Sequence, residues 1–326
     1  MKKTEKVTKA DSKKKNLKRR RWNRDDTELT LLAAPTVVWY LLFSYLPMFG
    51  LILAFKNYKI SAGKSFLYSL LHSEWNGLDN FQFFLKSNQL AVILRNTVLY
   101  NAAFIILNIV IPVGLAIMIS QIYSRRKSKV YQTLMFMPHF MSWVVVSYFV
   151  FAFLSPDKGF LNAILTALGK EPVMWYSEAR FWPFILIFMQ TWKSVGYNMV
   201  VYLASISGID STLYEAAVMD GASKRQQARY ITLPSLKPII IIMFILSVGR
   251  IFSSDFGLFY QIPRGVTNSL YKVVTTFDVY IFNMLQSNVP LGRTAAASFF
   301  QAVACCITIL AANQVVKKID SDSALI

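Results

Sequence analysis

The chain has 326 residues, of which 55% are apolar and 16% charged, and its mean hydropathy of +0.40 lies outside the range of ordinary soluble domains. A formal net charge of +18 would suit a nucleic-acid binder, but twelve of the 35 Lys and Arg fall between Lys2 and Arg24, and most of the others lie in short segments between apolar blocks. That placement excludes nucleic acid as the partner and points to membrane lipid, because basic residues resist translocation and meet anionic headgroups on the cytoplasmic side.

Residues 1–27 read as a basic cytoplasmic tail. The basic stretch and the apolar block after it are both too long for a cleavable signal, so that block is expected to stay as a helix. Crossing ~30 Å of hydrocarbon at 1.5 Å per residue takes roughly 20 apolar residues. Six blocks reach that length, at 29–55, 96–119, 131–154, 181–206, 238–256 and 295–316, predicting an all-α polytopic membrane protein. Pro35, Pro47 and Pro112 fall inside these blocks, where neighbouring helices can satisfy the freed carbonyls. The tail, the turn with Arg125, Arg126, Lys127 and Lys129, the segment with Lys224, Arg225, Arg229 and Lys237, and Lys317 and Lys318 hold 22 basic residues. The other three connections hold 11, so both termini, including 317–326, are expected in the cytoplasm. The outer connections are rich in rings (Tyr68, Trp75, Phe81, Phe83, Phe84, Trp175, Tyr176, Tyr260), as suits the headgroup level.

Ionisable groups inside a bilayer cost a few kcal/mol each and flag function. Lys193 lies in the fourth block beside Gln190, Trp192, Ser194, Tyr197 and Asn198. On a 3.6-residue period Gln190, Ser194 and Tyr197 share a face with Lys193 on its flank, and the patch offers both rings and hydrogen-bonding groups. Arg250 and Asp255 in the fifth block are five apart, off a common face, so each is expected to face a cavity or pair with a second subunit. Interhelical pairing and snorkelling are the structural alternatives for all three charges. No metal site is expected. His72 and His139 stand alone, and Cys305 and Cys306 are adjacent within the last block and read as packing residues.

The third cytoplasmic segment reads EAAVMDGASKRQQARYITLP over 215–234. Glu215, Ala216 and Ala217 favour helix, Gly221 follows Asp220 at a bend, and Leu233 and Pro234 close the segment before the fifth block. Its small residues leave a flank onto which another protein can close. This spacing resembles the coupling motif of permeases of ATP-binding-cassette importers, with Glu215, Ala216, Ala217, Gly221, Ile231, Leu233 and Pro234 at the matching positions. The segments 75–85 and 96–97, Leu46-Pro47 and the last block are similar to the carbohydrate-uptake branch, specifically its polysaccharide and oligosaccharide permeases, so that only the basic tail lies outside the match.

The resemblance implies a type I importer permease in the bacterial plasma membrane that moves a sugar, most naturally an oligosaccharide, by alternating access. Its implied partners are a homologous second permease, two ATPase subunits and an extracytoplasmic solute-binding protein. In the similar maltose permeases, positions at the distances of Gln190, Trp192, Ser194 and Tyr197 before the motif touch sugar. No phosphate loop precedes Gly63-Lys64-Ser65, since Tyr58 stands where its first glycine belongs. No catalytic residue and no cofactor are therefore expected in this chain, ATP and Mg²⁺ being bound by the ATPase. A permease for a non-sugar solute is the nearest alternative, and a polytopic membrane enzyme or sensor the alternative of another class.

Overall fold

A computed structural model describes residues 23–59 and 63–319, so most of the expected tail and the end of the expected C-terminal segment lie outside the described residues. The chain forms two units, 1–51 and 52–326. In the first, α1 (Arg24–Tyr40) starts at Asn23, whose N–H donates to Asp26 Oδ2 at 2.9 Å, and the first-turn acids Asp25 and Asp26 complement the helix dipole. The helix runs on through a π-turn at Leu41–Tyr45 into a 3-10 stretch, Leu46–Phe55, that carries the chain into the second unit. The block expected at 29–55 is therefore helical but not uniformly α. Its apolar side chains, Leu31, Leu32 and Trp39 among them, are exposed, as a helix made for lipid or another subunit requires.

The second unit opens with a short hairpin of β1 (Lys56–Asn57) and β2 (Glu74–Trp75), between which lies α2 (Phe66–His72), followed by α3 (Asp79–Leu85). Two long helices then form its spine. One is α4 (Gln89–Ser120), longer than the expected 96–119; the other, α8 (Trp182–Ser207), packs along it and buries Trp182, Leu186, Met199 and Tyr202.

Between these two, α5 (Arg125–Phe136), a 3-10 turn at Met137–Phe140 and α6 (Trp143–Leu154) replace the straight helix expected over 131–154. The chain bends by 98° there. Pro138 lacks an N–H, and Ser142 caps the new helix by accepting from Val145 N (3.3 Å), so the local sequence both stops α5 and starts α6. α8 approaches this bend closely. A Cβ at Gly196 would collide with the Met135 carbonyl, so only glycine fits. α7 (Phe160–Ala167) follows α6, and α9 (Ser211–Met219), α10 (Lys224–Gln227) and α11 (Leu233–Val248) follow α8.

The fifth block also differs from expectation. The helix expected to reach residue 256 ends at Val248, and the chain passes through an irregular stretch before a π-turn at Gly257–Gln261. α12 (Tyr271–Val274), α13 (Phe277–Gln286) and α14 (Leu291–Ile319) complete the unit. Among the described residues, four helical runs are long and apolar enough to cross a membrane, at Arg24–Phe55, Gln89–Ser120, Lys224–Val248 and Leu291–Lys318, and the bent pair makes a fifth if it is one span.

Candidate functional site

Two places carry the residues singled out in the sequence. The first is the stretch 249–255, where the chain leaves α11. Backbone groups released inside a bilayer cost several kcal/mol each unless something else bonds them. Here side chains from three other helices do so. Asn101 Nδ2 of α4 donates to the carbonyls of Ile251 and Ser253, both at 2.9 Å, and Gln301 Nε2 of α14 donates to that of Phe252 at 2.8 Å. Asp278 of α13 accepts from Ser254 N (2.6 Å), Ser254 Oγ (2.9 Å) and Gln301 Nε2 (3.0 Å). The break is thus built by a matched set of polar groups.

Against it lies a cavity of about 390 Å³, walled by Asn101, Asn108 and Gln190 on one side and Ser247, Arg250, Ser253, Ser254 and Asp255 on the other. Irregular backbone at membrane depth is tolerated where it lines such a cavity, and transporters place solute sites at broken helices. Arg250 and Asp255 therefore stand not on a helix, as expected, but in the break and at one cavity, together with Gln190. Asp255 is held: Oδ2 accepts from Trp143 Nε1 (2.6 Å), and Oδ1 accepts from Gly257 N (2.9 Å) and Leu258 N (3.3 Å), capping the π-turn that follows. Arg250 is exposed; its backbone N donates to the Ser247 carbonyl (3.1 Å), while its guanidinium donates to no acceptor among the described residues.

The patch expected on α8 is divided. Ser194 Oγ lies 2.6 Å from Asn108 Oδ1 and 2.7 Å from the Gln190 carbonyl, so Ser194 and Gln190 belong with the cavity. Tyr197 shares their backbone face, but its long ring leans to the flank where α5 comes close and stacks on His139 at 4.8 Å. Lys193 donates to the His139 carbonyl at 3.0 Å and sits 5.1 Å from the Trp143 ring centroid, holding the bend from both sides. Trp192 points away from the cavity into a larger apolar hollow of about 650 Å³ lined by Phe149, Phe153, Phe184 and Phe188. That hollow has almost no hydrogen-bonding group, so its size does not make it a sugar site. Asn198 is half-buried on α8. Asn101, Asn108, Asp278 and Gln301 were not singled out in the sequence. Asn101, Asn108 and Gln301 were visible there as amides within apolar blocks, while Asp278 lies in a connection with no local signal.

The second place is the segment 211–234. Asp210 caps α9, accepting from Thr212 N at 3.0 Å, and that hydrogen bond holds its carboxyl below the ordinary value of 3.8. A group with a depressed folded value stabilises above the ordinary value and loses that contribution only as pH falls through the lower one, so this cap is complete at physiological pH. At the other end Ala222 N donates to the Ala217 carbonyl (2.8 Å) and Gly221 N to that of Val218 (3.0 Å), a Schellman closure that needs Gly221 at φ +75°. Ser223 and Gln226 form a capping box on α10.

The α9 surface is open. Glu215, Ala216 and Asp220 are exposed, Ala217 is half-buried, and Val218 and Met219 are 61% and 87% exposed. Tyr214 OH meets Thr232 Oγ1 at 2.9 Å, and Lys224 and Gln121 exchange hydrogen bonds at 3.2 Å, fixing the pair to α11 and to the end of α4. Half-buried Ile231 and exposed Leu233 and Pro234 do not end the segment, as expected. A π-turn at Ala228–Thr232 relieves the clash of the Pro234 ring with the preceding turn, and one helical run continues from Lys224 to Val248.

Residues 123–320 match the family described as the inner membrane component of binding-protein-dependent transport systems. The chain is 31% identical over 307 residues to Protein LplB of Bacillus subtilis, covering 94% of this chain and 92% of that one. It is 30% identical over 290 residues to the polygalacturonan/rhamnogalacturonan transport system permease protein YteP of the same organism, covering 89% and 88%. It also superposes on a chain of a bacterial alginate ABC transporter solved in complex with an alginate pentasaccharide-bound periplasmic protein, with a TM-score of 0.80 and 30% identity over 92% of this chain and 98% of that one.

Proposed function

This chain belongs to the family of inner membrane components of binding-protein-dependent transport systems, and we propose on that premise that it is one of two permease halves of an ATP-driven importer carrying an oligosaccharide across the bacterial plasma membrane. Its partners in this reading are a homologous second permease, two ATPase subunits that hold ATP and Mg²⁺, and an extracytoplasmic solute-binding protein. The observation that carries the reading is the α9–Gly221–α10 pair. It is rigidly closed at both ends, exposes apolar and small side chains on its outer face, and continues through one helical run into the break at 249–255. A partner that moves α9 and α10 therefore acts on the cavity wall through a continuous rod.

The cavity supplies the solute path, with Gln190, Arg250 and Asp255 at its wall, Ser194 behind it on Asn108, and amide groups suited to sugar hydroxyls; its volume lies within the range of small-ligand sites. Trp192, Lys193 and Tyr197 take the supporting role, holding the bent span against α8. In this reading α8 is the sixth membrane crossing. Its polar residues lower its hydropathy, and packing along α4 shelters them. Both termini and α9 then face the cytoplasm, in accord with the loop charges.

Purification of the tagged full-length chain from its host membranes in mild detergent tests this. The expected isolate contains a second permease and an ATPase, with ATP hydrolysis stimulated by the sugar-loaded solute-binding protein. A folded chain that purifies alone, with no hydrolysing partner under any detergent, contradicts it.

A further inference from the structure

Among the described residues, the wall of the cavity at the broken helix carries one cation, and its side chain meets no acceptor. Arg250 reaches it with five N–H donors that meet no acceptor and no carboxylate among the described residues. A guanidinium stays charged at any physiological pH, and a charge at membrane depth costs a few kcal/mol unless it is paired or serves a solute. Asp255 also lines the cavity but is already engaged, its two oxygens taking hydrogen bonds from Trp143, Gly257 and Leu258. Asp278, just behind the break, is engaged by Ser254 and Gln301. The negative groups near Arg250 are thus satisfied by N–H and O–H donors while the positive one is not. The remaining wall groups, Asn101, Asn108, Gln190 and the serines, suit hydroxyls.

We infer that the transported saccharide is acidic, and that Arg250 reads its carboxylate by a charge-assisted, bidentate contact while the amides take the ring hydroxyls. This rests on the oligosaccharide-permease reading above and adds the charge class of the solute.

The test uses cells carrying the complete transporter, with trigalacturonate and its carboxyl-reduced counterpart, a neutral trisaccharide of the same linkage, as labelled probes. Uptake of the acidic probe by the wild type is expected to exceed that of the neutral one by at least tenfold. Arg250→Gln should lower acidic uptake by roughly tenfold or more, as loss of a charge-assisted pair implies, and Arg250→Lys should retain an intermediate rate with a raised KM. Binding of the acidic probe to the isolated solute-binding protein should be unchanged by either variant. Preference of the wild type for the neutral trisaccharide overturns the inference while leaving the sugar-permease reading intact. Wild-type acidic uptake by Arg250→Gln at normal membrane levels overturns it too. Absence of uptake of any saccharide in a wider neutral and acidic panel removes the reading on which it rests. If both variants fail to reach the membrane, the wild-type comparison of the two probes decides by itself.

Discussion

At the scale of single residues, position on a helical face did not fix a side chain's role. Gln190, Ser194 and Tyr197 share a face by period, yet the first two turn to α4 and the cavity while the tyrosine ring lies on His139. A ring extends far enough from its Cα to leave the face its backbone occupies, and periodicity carries no information about that reach. Charge was the more legible signal: Lys193, Arg250 and Asp255 all sit in the polar structure around the bend and the break. Uncharged amides were passed over, although Asn101 and Gln301 bond the carbonyls of the break and Asn108 ties α4 to Ser194 at the cavity. A paired substitution separates cavity from packing. Gln190→Ala should reduce oligosaccharide uptake several-fold at normal membrane levels, because a wall hydrogen bond is worth about 1 kcal/mol. Trp192→Leu, which keeps apolar bulk in a hollow without polar groups, should change uptake by less than twofold. Uptake assays in which Trp192→Leu fails and Gln190→Ala does not would move the path to the other side of α8.

At the scale of elements, apolar length placed helical segments within the six expected blocks, while the interruptions escaped it. A hydropathy block records only that residues prefer lipid, and residues 131–154 stay apolar through a 98° bend because Pro138 and Ser142 redirect the backbone without adding charge. The end of α11 at Val248 was hidden for a related reason: its stabilisers come from α4, α13 and α14, far away in sequence. The segment 215–234 was legible in part: Gly221 was read as a bend and closes α9 at φ +75°, while Leu233 and Pro234, read as its end, lie inside a continuous helical run. Gly221 gives the sharpest prediction there. It has open space around it, so a side chain meets no neighbour, but at φ +75° any L-residue is strained by roughly 1–2 kcal/mol. Gly221→Val should therefore yield a chain that folds and reaches the membrane with wild-type thermal stability of the helical spine. Its transport and its stimulated ATPase should fall together, because α9 no longer presents its face at the set angle. Normal stimulated hydrolysis in this variant would detach α9 from the coupling role.

At the scale of the whole molecule, one helical run, Lys224–Val248, and the break that ends it join the α9–α10 segment to the cavity, and in the proposed reading that segment is a cytoplasmic lever. In the proposed reading a partner ATPase supplies the energy, so each cycle begins with movement of α9 and α10 and finishes at the wall formed by Arg250 and its neighbours. Composition made the membrane class legible, and the spaced motif made the family legible. The cavity was not, because it forms only when α4, α8 and the broken end of α11 come together. The central claim is that hydrolysis outside this chain drives a saccharide through it. The most direct measurement is accumulation of a labelled oligosaccharide in proteoliposomes holding the complete transporter, with ATP enclosed and the loaded solute-binding protein outside. The account predicts internal sugar rising above the external concentration with ATP, and no accumulation with a non-hydrolysable analogue or without the solute-binding protein. Equal internal levels with and without hydrolysable ATP would contradict it.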